Sequence, residues 1–364
     1  MSDTNPLSPF VARPGNGKTV ALVLGSGGAR GYAHIGVIEV LLERGYDIIA
    51  IAGCSMGALV GGVYAAGKLQ DYKDWVTGLG QFDVLKLLDI SLSLPGAIRG
   101  EKIFAIVHDL IGDIRIEDLP VPYTAVATDL LAHKEIWFQE GSLHQAIRAS
   151  VAIPSLLTPV LMGGRVLVDG GLLNPLPIIP TIAARADQII AVNLSGDDAQ
   201  PFQLLEVPSS ASEETDAEDD GDPSEEWLER IREKASRIFD RDTWRSFSGK
   251  PDDEENARAE DSGVPPQRDP TLKKDAEDAR QALKWQRLGL GKFDIMNLAF
   301  ETMQSSLTQY KLAGYPPDIL IEIPKHSCKT FDYHKAPEMI QLGRECAEAT
   351  LDRLLPTGKS SLFY

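Results

Sequence analysis

The amino-acid sequence predicts an α/β protein, a three-layer α/β/α sandwich built on a mostly parallel central sheet. Two features lead there. The stretches "TVALVLGSGGARGYAHIGVIEVL" and "YDIIAIAGCSMGALVGGVYAAG" each run from an apolar segment through a glycine-bearing turn into a helical pattern. Consecutive strand–turn–helix units place their strands parallel, with the helix as crossover. The second feature is the near-continuous apolar character of those strands, which marks a sheet covered on both faces. With 364 residues, the chain has enough length for one large core or two modest ones.

In chain order, residues 1–18 read as a flexible tail, "TVALVLG" as the first strand and Gly31 to Arg44 as an amphipathic helix. The second unit follows, with a sharp turn at Gly53–Gly57 and a helix of small residues. Further strands are expected at "PYTAVATDL", "KEIWFQ", "RVLVDG", "QIIAVNL" and "DILIEIP". Helices are expected over Leu143–Val151, Leu176–Arg185, Asp294–Lys311 and Pro337–Leu355. The organisation that follows is a tail over 1–18, a catalytic core over 19–196, an acidic insertion over 197–284 and a helix–strand–helix segment over 285–364 that packs on the core.

The formal net charge of −17 is unevenly spread. Between Asp197 and Arg280 there are 26 acidic and 12 basic residues, about −14, which leaves the rest near −3. Acidity therefore belongs to one segment. It argues against nucleic acid as a partner, since phosphate binding needs clustered Lys and Arg. The segment is also rich in Ser, Pro and Gly, a composition that buries too little apolar area to offset ordering entropy. Within it, Leu228, Ile231, Ala235, Ile238 and Phe239 recur at helical spacing beside several arginines. We read a largely flexible insertion carrying one amphipathic helix.

The cysteines Cys54, Cys328 and Cys346 are odd in number and far apart, so neither a disulfide framework nor a zinc site is expected. The N-terminal stretch has no apolar core of signal-peptide length, and no apolar run reaches bilayer-spanning length. The expected location is cytoplasmic, with any membrane contact peripheral.

The glycine loop "GSGGARG" puts backbone N–H groups at a helix N-terminus, a place that favours an anion. A dinucleotide fingerprint starting at Gly25 would need glycine where Arg30 stands, and Asp47 is a poor ribose ligand because it opens the next strand. A P-loop fails too. "GNGKT" lacks the earlier glycine, which is Ala12, and it precedes the strand instead of following it.

The second turn, "GCSMG", has the G-x-S-x-G form of a nucleophile elbow. Small residues on both flanks let the chain bend sharply, so that the Ser55 hydroxyl stands clear of the sheet at the start of a helix. A plain structural turn is the competing reading of such a short motif. The glycine loop one unit upstream argues for chemistry, because both turns fall at carboxyl ends of adjacent strands, where open α/β sheets bind ligands. Backbone N–H groups of Gly27, Gly28 and Ala29 would then stabilise a developing oxyanion. For the base, His326 and His334 are the histidines that follow a plausible acid, in loop-like stretches, while His34 reads as a packed or capping residue. Asp169 in "LVDGGLLNPLP" is the better candidate, although an aspartate at a strand end also caps turns.

Taken together, "GSGGARGYAHIGVIEVL", "GCSMGALVGGVYAAG", "ASVAIPSLLTPV" and "LVDGGLLNPLP" resemble a bacterial patatin-like phospholipase. The resemblance spans about residues 20–195 with its blocks in order. It implies a Ser–Asp dyad without histidine: Ser55 between Gly53 and Gly57, and Asp169 ahead of Gly170 and Gly171. It implies an oxyanion hole at Gly27 and Gly28, with Ala29 and Arg30 adjoining. Where many members carry a first glycine, this chain has Ser26. The implied activity is hydrolysis of carboxylic esters of lipids, phospholipids or lysophospholipids, through an acyl-enzyme and without metal or organic cofactor. The partner it implies is a lipid or acyl-ester substrate. The alternative is a regulatory or scaffolding protein of the same fold that binds acyl chains or a protein partner with little turnover. The acidic insertion lies outside the resemblance.

Overall fold

The computed structural model of the chain describes residues 17–87, 100–154, 156–196 and 292–354. The tail expected over 1–18, except its last two residues, and the acidic insertion expected over 197–284, with its amphipathic helix, lie outside the described residues.

The first half of the chain runs β1 (Thr19–Leu24), α1 (Ala33–Glu43), β2 (Asp47–Cys54), α2 (Met56–Ala65), α3 (Leu69–Thr77), α4 (Gln81–Leu87) and α5 (Glu101–Ile111). Then come β3 (Tyr123–Asp129), β4 (Lys134–Phe138), α6 (Leu143–Ser150), β5 (Val160–Met162), β6 (Arg165–Asp169) and β7 (Gln188–Gly196). The last part is helix–strand–helix: α7 (Lys292–Gly314), β8 (Ile319–Pro324) and α8 (Ala336–Leu354).

Among the described residues, eight strands form one mixed sheet in the order β5-β6-β3-β2-β1-β7-β8, with β4 paired to β3 as well. The β3–β2–β1–β7–β8 portion is parallel throughout. The pairs β3–β4, β3–β6 and β5–β6 are antiparallel. Burial on both faces can be followed along β1. Val20, Leu22 and Leu24 join a cluster with α1, α2 and α8 residues such as Ile38, Val60 and Leu351. Val23, pointing the other way, packs with Leu176, Ile178 and Ala191, and Leu312 of α7 closes over them. This is the α/β sandwich that the two strand–turn–helix units predicted.

The helix expected over Leu176–Arg185 is not formed as such. Only Ile179–Ala184 coils, as a 3-10 helix. Pro175, Pro177 and Pro180 remove the N–H groups that a longer α-helix would use. α3, α4, α5 and β5 stand in addition to the elements expected from the sequence.

One pairing positions the chemistry. β3 meets β4 along residues 125–129, so β4 occupies one whole edge of that stretch. The other edge of β3 pairs first with β2, ending at Cys54 opposite Val126, and then with β6, where Asp169 lies opposite Ala127. The ends of β2 and β6 therefore abut, head to head, along a single edge.

Candidate active site

That abutment brings Ser55 to Asp169. The residue after β2 takes φ 56° and ψ −125°, a conformation costly for any residue with a Cβ. Its neighbours hold it there. The Ser55 N–H donates to Ser150 Oγ at 3.0 Å, and that hydroxyl donates to the Val126 carbonyl at 2.6 Å. Gly57 is glycine because a Cβ would lie 2.1 Å from the Leu24 carbonyl oxygen. The turns after β1 and β2 are in direct backbone contact at that point. α2 begins at Met56, so the positive end of its dipole faces the serine.

Asp169 ends β6 and is fully buried, and Ser55 is buried as well. The two carboxylate oxygens do different work. Oδ2 accepts the Ser55 hydroxyl at 2.5 Å, and Oδ1 accepts the Gly171 N–H at 2.7 Å. The turn-capping reading and the dyad reading of Asp169 thus describe separate atoms of one residue. Burial pushes the Asp169 carboxyl up to about 7, against the smaller downward pull of the Ser55 and Gly171 hydrogen bonds. The adjacent Cys54 thiol, 4.0 Å from Oδ1, is raised well above its usual range, chiefly by burial and further by the Asp169 charge.

The glycine loop lies alongside. Its Gly25 N–H donates to the Val192 carbonyl at 3.1 Å, and the Ser26 N–H to the Pro175 carbonyl at 2.8 Å. His34 Nε2 donates to the Gly25 carbonyl at 2.8 Å. Burial drops this imidazole to about 4, so it is neutral near pH 7 and serves as a packed strut, as expected. Gly28 has φ +56°, and a Cβ there would lie 2.5 Å from the Thr330 carbonyl oxygen.

The donor set expected from the sequence changes at Ala29. Its N–H donates to the Thr330 carbonyl at 2.9 Å and is not free for a ligand. Gly27 and Gly28, at the start of the 3-10 turn Gly28–Tyr32, keep the N–H groups that a helix leaves without internal partners. The Arg30 guanidinium turns away to the Lys325 carbonyl at 2.7 Å and to Glu301 at 3.3 Å. Thr330 and Glu301 lie far down the chain, and no local pattern announces such a contact.

A cavity of about 300 Å³ opens beside Ser55. Met56 and Leu59 of α2, Tyr72 and Trp75 of α3, and Phe104 of α5 line much of it. Ser150, which fixes the elbow, lay within a recognised block but carried no signal of its role. Trp75 and Phe104 sit in a stretch that carries no functional motif.

These features fit the comparisons with known proteins. A family model described as "Patatin-like phospholipase" matches residues 22–182, which include Ser55, Asp169 and the glycine loop. An uncharacterized NTE family protein of Mycobacterium tuberculosis is 43% identical over 347 residues, 92% of this chain and 91% of that protein. The chain belongs to the NTE family, and residues 22–182 are its patatin-like phospholipase domain. The neuropathy target esterase sws of Drosophila melanogaster is 32% identical over 207 residues, 54% of this chain but 14% of that much longer protein. The crystal structure of VipD from Legionella pneumophila aligns over 92% of this chain and 67% of that one, with TM-score 0.45 and 16% identity. Among the described residues, no helix is long and apolar enough to cross a membrane.

Proposed function

We propose that the chain is a serine acyl hydrolase that cleaves carboxylic ester bonds of lipids, with Ser55 as nucleophile and Asp169 as base. The observation that carries this reading is the direct 2.5 Å contact between Ser55 Oγ and the buried Asp169 carboxylate. A carboxyl held near pH 7 is matched to moving a proton at neutral pH, because it takes one from an attacking hydroxyl and returns it to a leaving alcohol. Ser55 Oγ attacks the ester carbonyl, and Asp169 accepts its proton. The N–H groups of Gly27 and Gly28 hold the tetrahedral oxyanion. As the intermediate collapses, the alcohol departs with the proton from Asp169 and leaves an acyl-Ser55. Water, deprotonated by the same carboxylate, attacks the acyl carbonyl, and breaking of the acyl–Oγ bond releases the acid as Asp169 returns the proton to Ser55.

The cavity supports an acyl chain as the group bound on the acid side of the ester, since Ser55 stands in an otherwise aliphatic and aromatic lining. Phospholipids and lysophospholipids both supply such a chain.

The test is turnover of a p-nitrophenyl acyl ester and of a lysophospholipid panel. Ser55→Ala and Asp169→Asn should each lower kcat by about a thousandfold or more, and the double variant should lose little beyond either single one. A covalent acyl adduct on Ser55 should be trapped by mass spectrometry in the wild type. His326→Ala and His334→Ala should retain wild-type turnover. A fully active, folded Ser55→Ala protein would overturn the reading.

A further inference from the structure

Helix α7 is packed in an unusual way. Its deeply buried side chains include Gln304 and Thr308, while Ile295, Met296 and Leu298 near its start are exposed. A helix held by apolar burial shows the reverse pattern. The polar positions of α7 must therefore meet polar partners, because a buried amide without one is expensive.

For Gln304 the partners are the two catalytic turns. Its Nε2 donates to Ser26 Oγ, in the glycine loop, at 3.0 Å. The same amide nitrogen lies against Gly171, the second glycine after Asp169. A Cβ at Gly171 would fall 2.0 Å from Gln304 Nε2, 2.9 Å from Ser26 Oγ and 3.0 Å from Asp169 Oδ1. Three polar atoms from three distant parts of the chain converge on that one hydrogen. The Gly171 N–H is also the donor that fixes Asp169 Oδ1.

We infer that Gln304 is a positioning residue for this reaction: it ties the glycine loop to the Asp169 turn and so sets the oxyanion donors relative to the base. The inference rests on the dyad reading given above. Two further ties from beyond the matched family region hold the same loop, the Ala29 N–H on Thr330 and the Arg30 guanidinium on Glu301 and Lys325. Thr330 Oγ1 in turn donates to Glu301, which links those two ties. Gln304 differs from them in touching both turns. Its acceptor is the hydroxyl of Ser26, whose own N–H is held by the Pro175 carbonyl. Ser26 and Gln304 thus form one device, and each residue is needed for the other's hydrogen bond.

Gln304→Leu removes the donor and keeps the approximate volume. It should lower kcat roughly ten- to a hundredfold, the scale of a misplaced catalytic group, with KM for the same ester nearly unchanged. Titration with an irreversible fluorophosphonate run to completion counts competent sites, and it should stay close to one per chain, so the loss is in rate and not in folded fraction. Ser26→Ala should give a similar loss, and the double variant should be no worse than either single one. Gln304→Glu brings a second carboxylate toward Asp169 and should move the acidic limb of the kcat/KM profile to higher pH. If Gln304→Leu does not fold, the Gln304→Glu profile and Ser26→Ala kinetics decide the matter. Wild-type kcat in a folded Gln304→Leu or Ser26→Ala protein would overturn the inference, as would an unshifted profile in Gln304→Glu. With Ser55→Ala inactive in the same assays, such a result would leave the dyad reading standing.

Discussion

Two walls meet at Ser55, and they are built on opposite principles. One consists of the turns after β1, β2 and β6. It is polar and close to the backbone, and hydrogen bonds fix it: Ser150 to Ser55, Gly171 to Asp169, Gln304 to Ser26. The other consists of side chains from α3, α4 and α5, among them Trp75, Val84 and Phe104, which bound the cavity by apolar packing. Hydrogen-bonded backbone permits little displacement before a bond is lost, whereas apolar side chains repack with smaller penalties. On the function proposed above, the first wall serves the chemical step and the second the choice of acyl group. Changes to the two should have different kinetic signatures.

The strongest test strikes the polar wall. Gly28→Val places a β-branched side chain at φ +56° and against the Thr330 carbonyl. It should lower kcat by about a hundredfold or more, the scale of losing an oxyanion donor. Stopped-flow turnover checks this, with circular dichroism to confirm the fold; full activity in a folded variant would remove the loop from the mechanism.

A smaller effect is expected from the apolar wall. Leu59→Trp fills part of the cavity. It should cut kcat/KM for long-chain p-nitrophenyl esters about tenfold while leaving acetate or butyrate esters nearly untouched, because a few methylenes in a pocket are worth only a few kcal/mol. An equal loss on every chain length would mean that the cavity does not hold the acyl group.

The smallest effect is thermodynamic and concerns Asp169. Its carboxyl stands near 7 in the folded chain, against about 3.9 when unfolded. Between those values the native state holds a proton that the unfolded state has released, so stability falls as pH rises from about 4 to about 7. Activity runs the opposite way and should climb through about pH 7 as the base ionises. Asp169→Asn has no proton to lose in that window. Its melting temperature should gain on the wild type by a few degrees over the same pH range, as seen by calorimetry. A constant difference across pH would show that burial does not hold this carboxyl up.

Much of the polar wall was legible in the sequence, and little of the apolar one. The two turns and the Asp169 corner are short-range features. Each is written in consecutive residues, glycines where chains touch and a serine or aspartate where a strand ends, and such patterns survive translation into one dimension. Ser26 and Ala29 show the limit. Their partners, Gln304 and Thr330, lie about 300 residues away, and only the folded sheet brings them together. Thus Ala29 could be read as a donor to substrate when its N–H was already engaged. The helices α3 to α5 present ordinary amphipathic stretches whose apolar faces look alike whether they cover a core or line a cavity. The prolines at 175, 177 and 180 are the local signal against a longer helix over 176–185, where only Ile179–Ala184 coils.

The way β2 and β6 share one edge of β3 has a consequence for how this molecule tolerates change. Ser55 and Asp169 are 114 positions apart in the chain, yet their separation is ruled by the adjacent pairings at Val126 and Ala127. β3 acts as a jig. A slip of one residue against it would move either partner by about 3.3 Å and break the contact, so the register admits no play. The chain between α2 and β3 is under no such constraint. It runs from the end of α2 at Ala65 to the start of β3 at Tyr123 and supplies α3, α4 and α5 on the way. Its helices carry core residues, Val76 and Val107 among them, yet they lie outside the pairings that set the Ser55–Asp169 contact. Lengthening the stretch or swapping it for one of another shape alters what the cavity admits and leaves the Ser55–Asp169 spacing where the jig puts it. On the function proposed above, changes in this stretch alter the acyl group admitted while the dyad keeps its geometry.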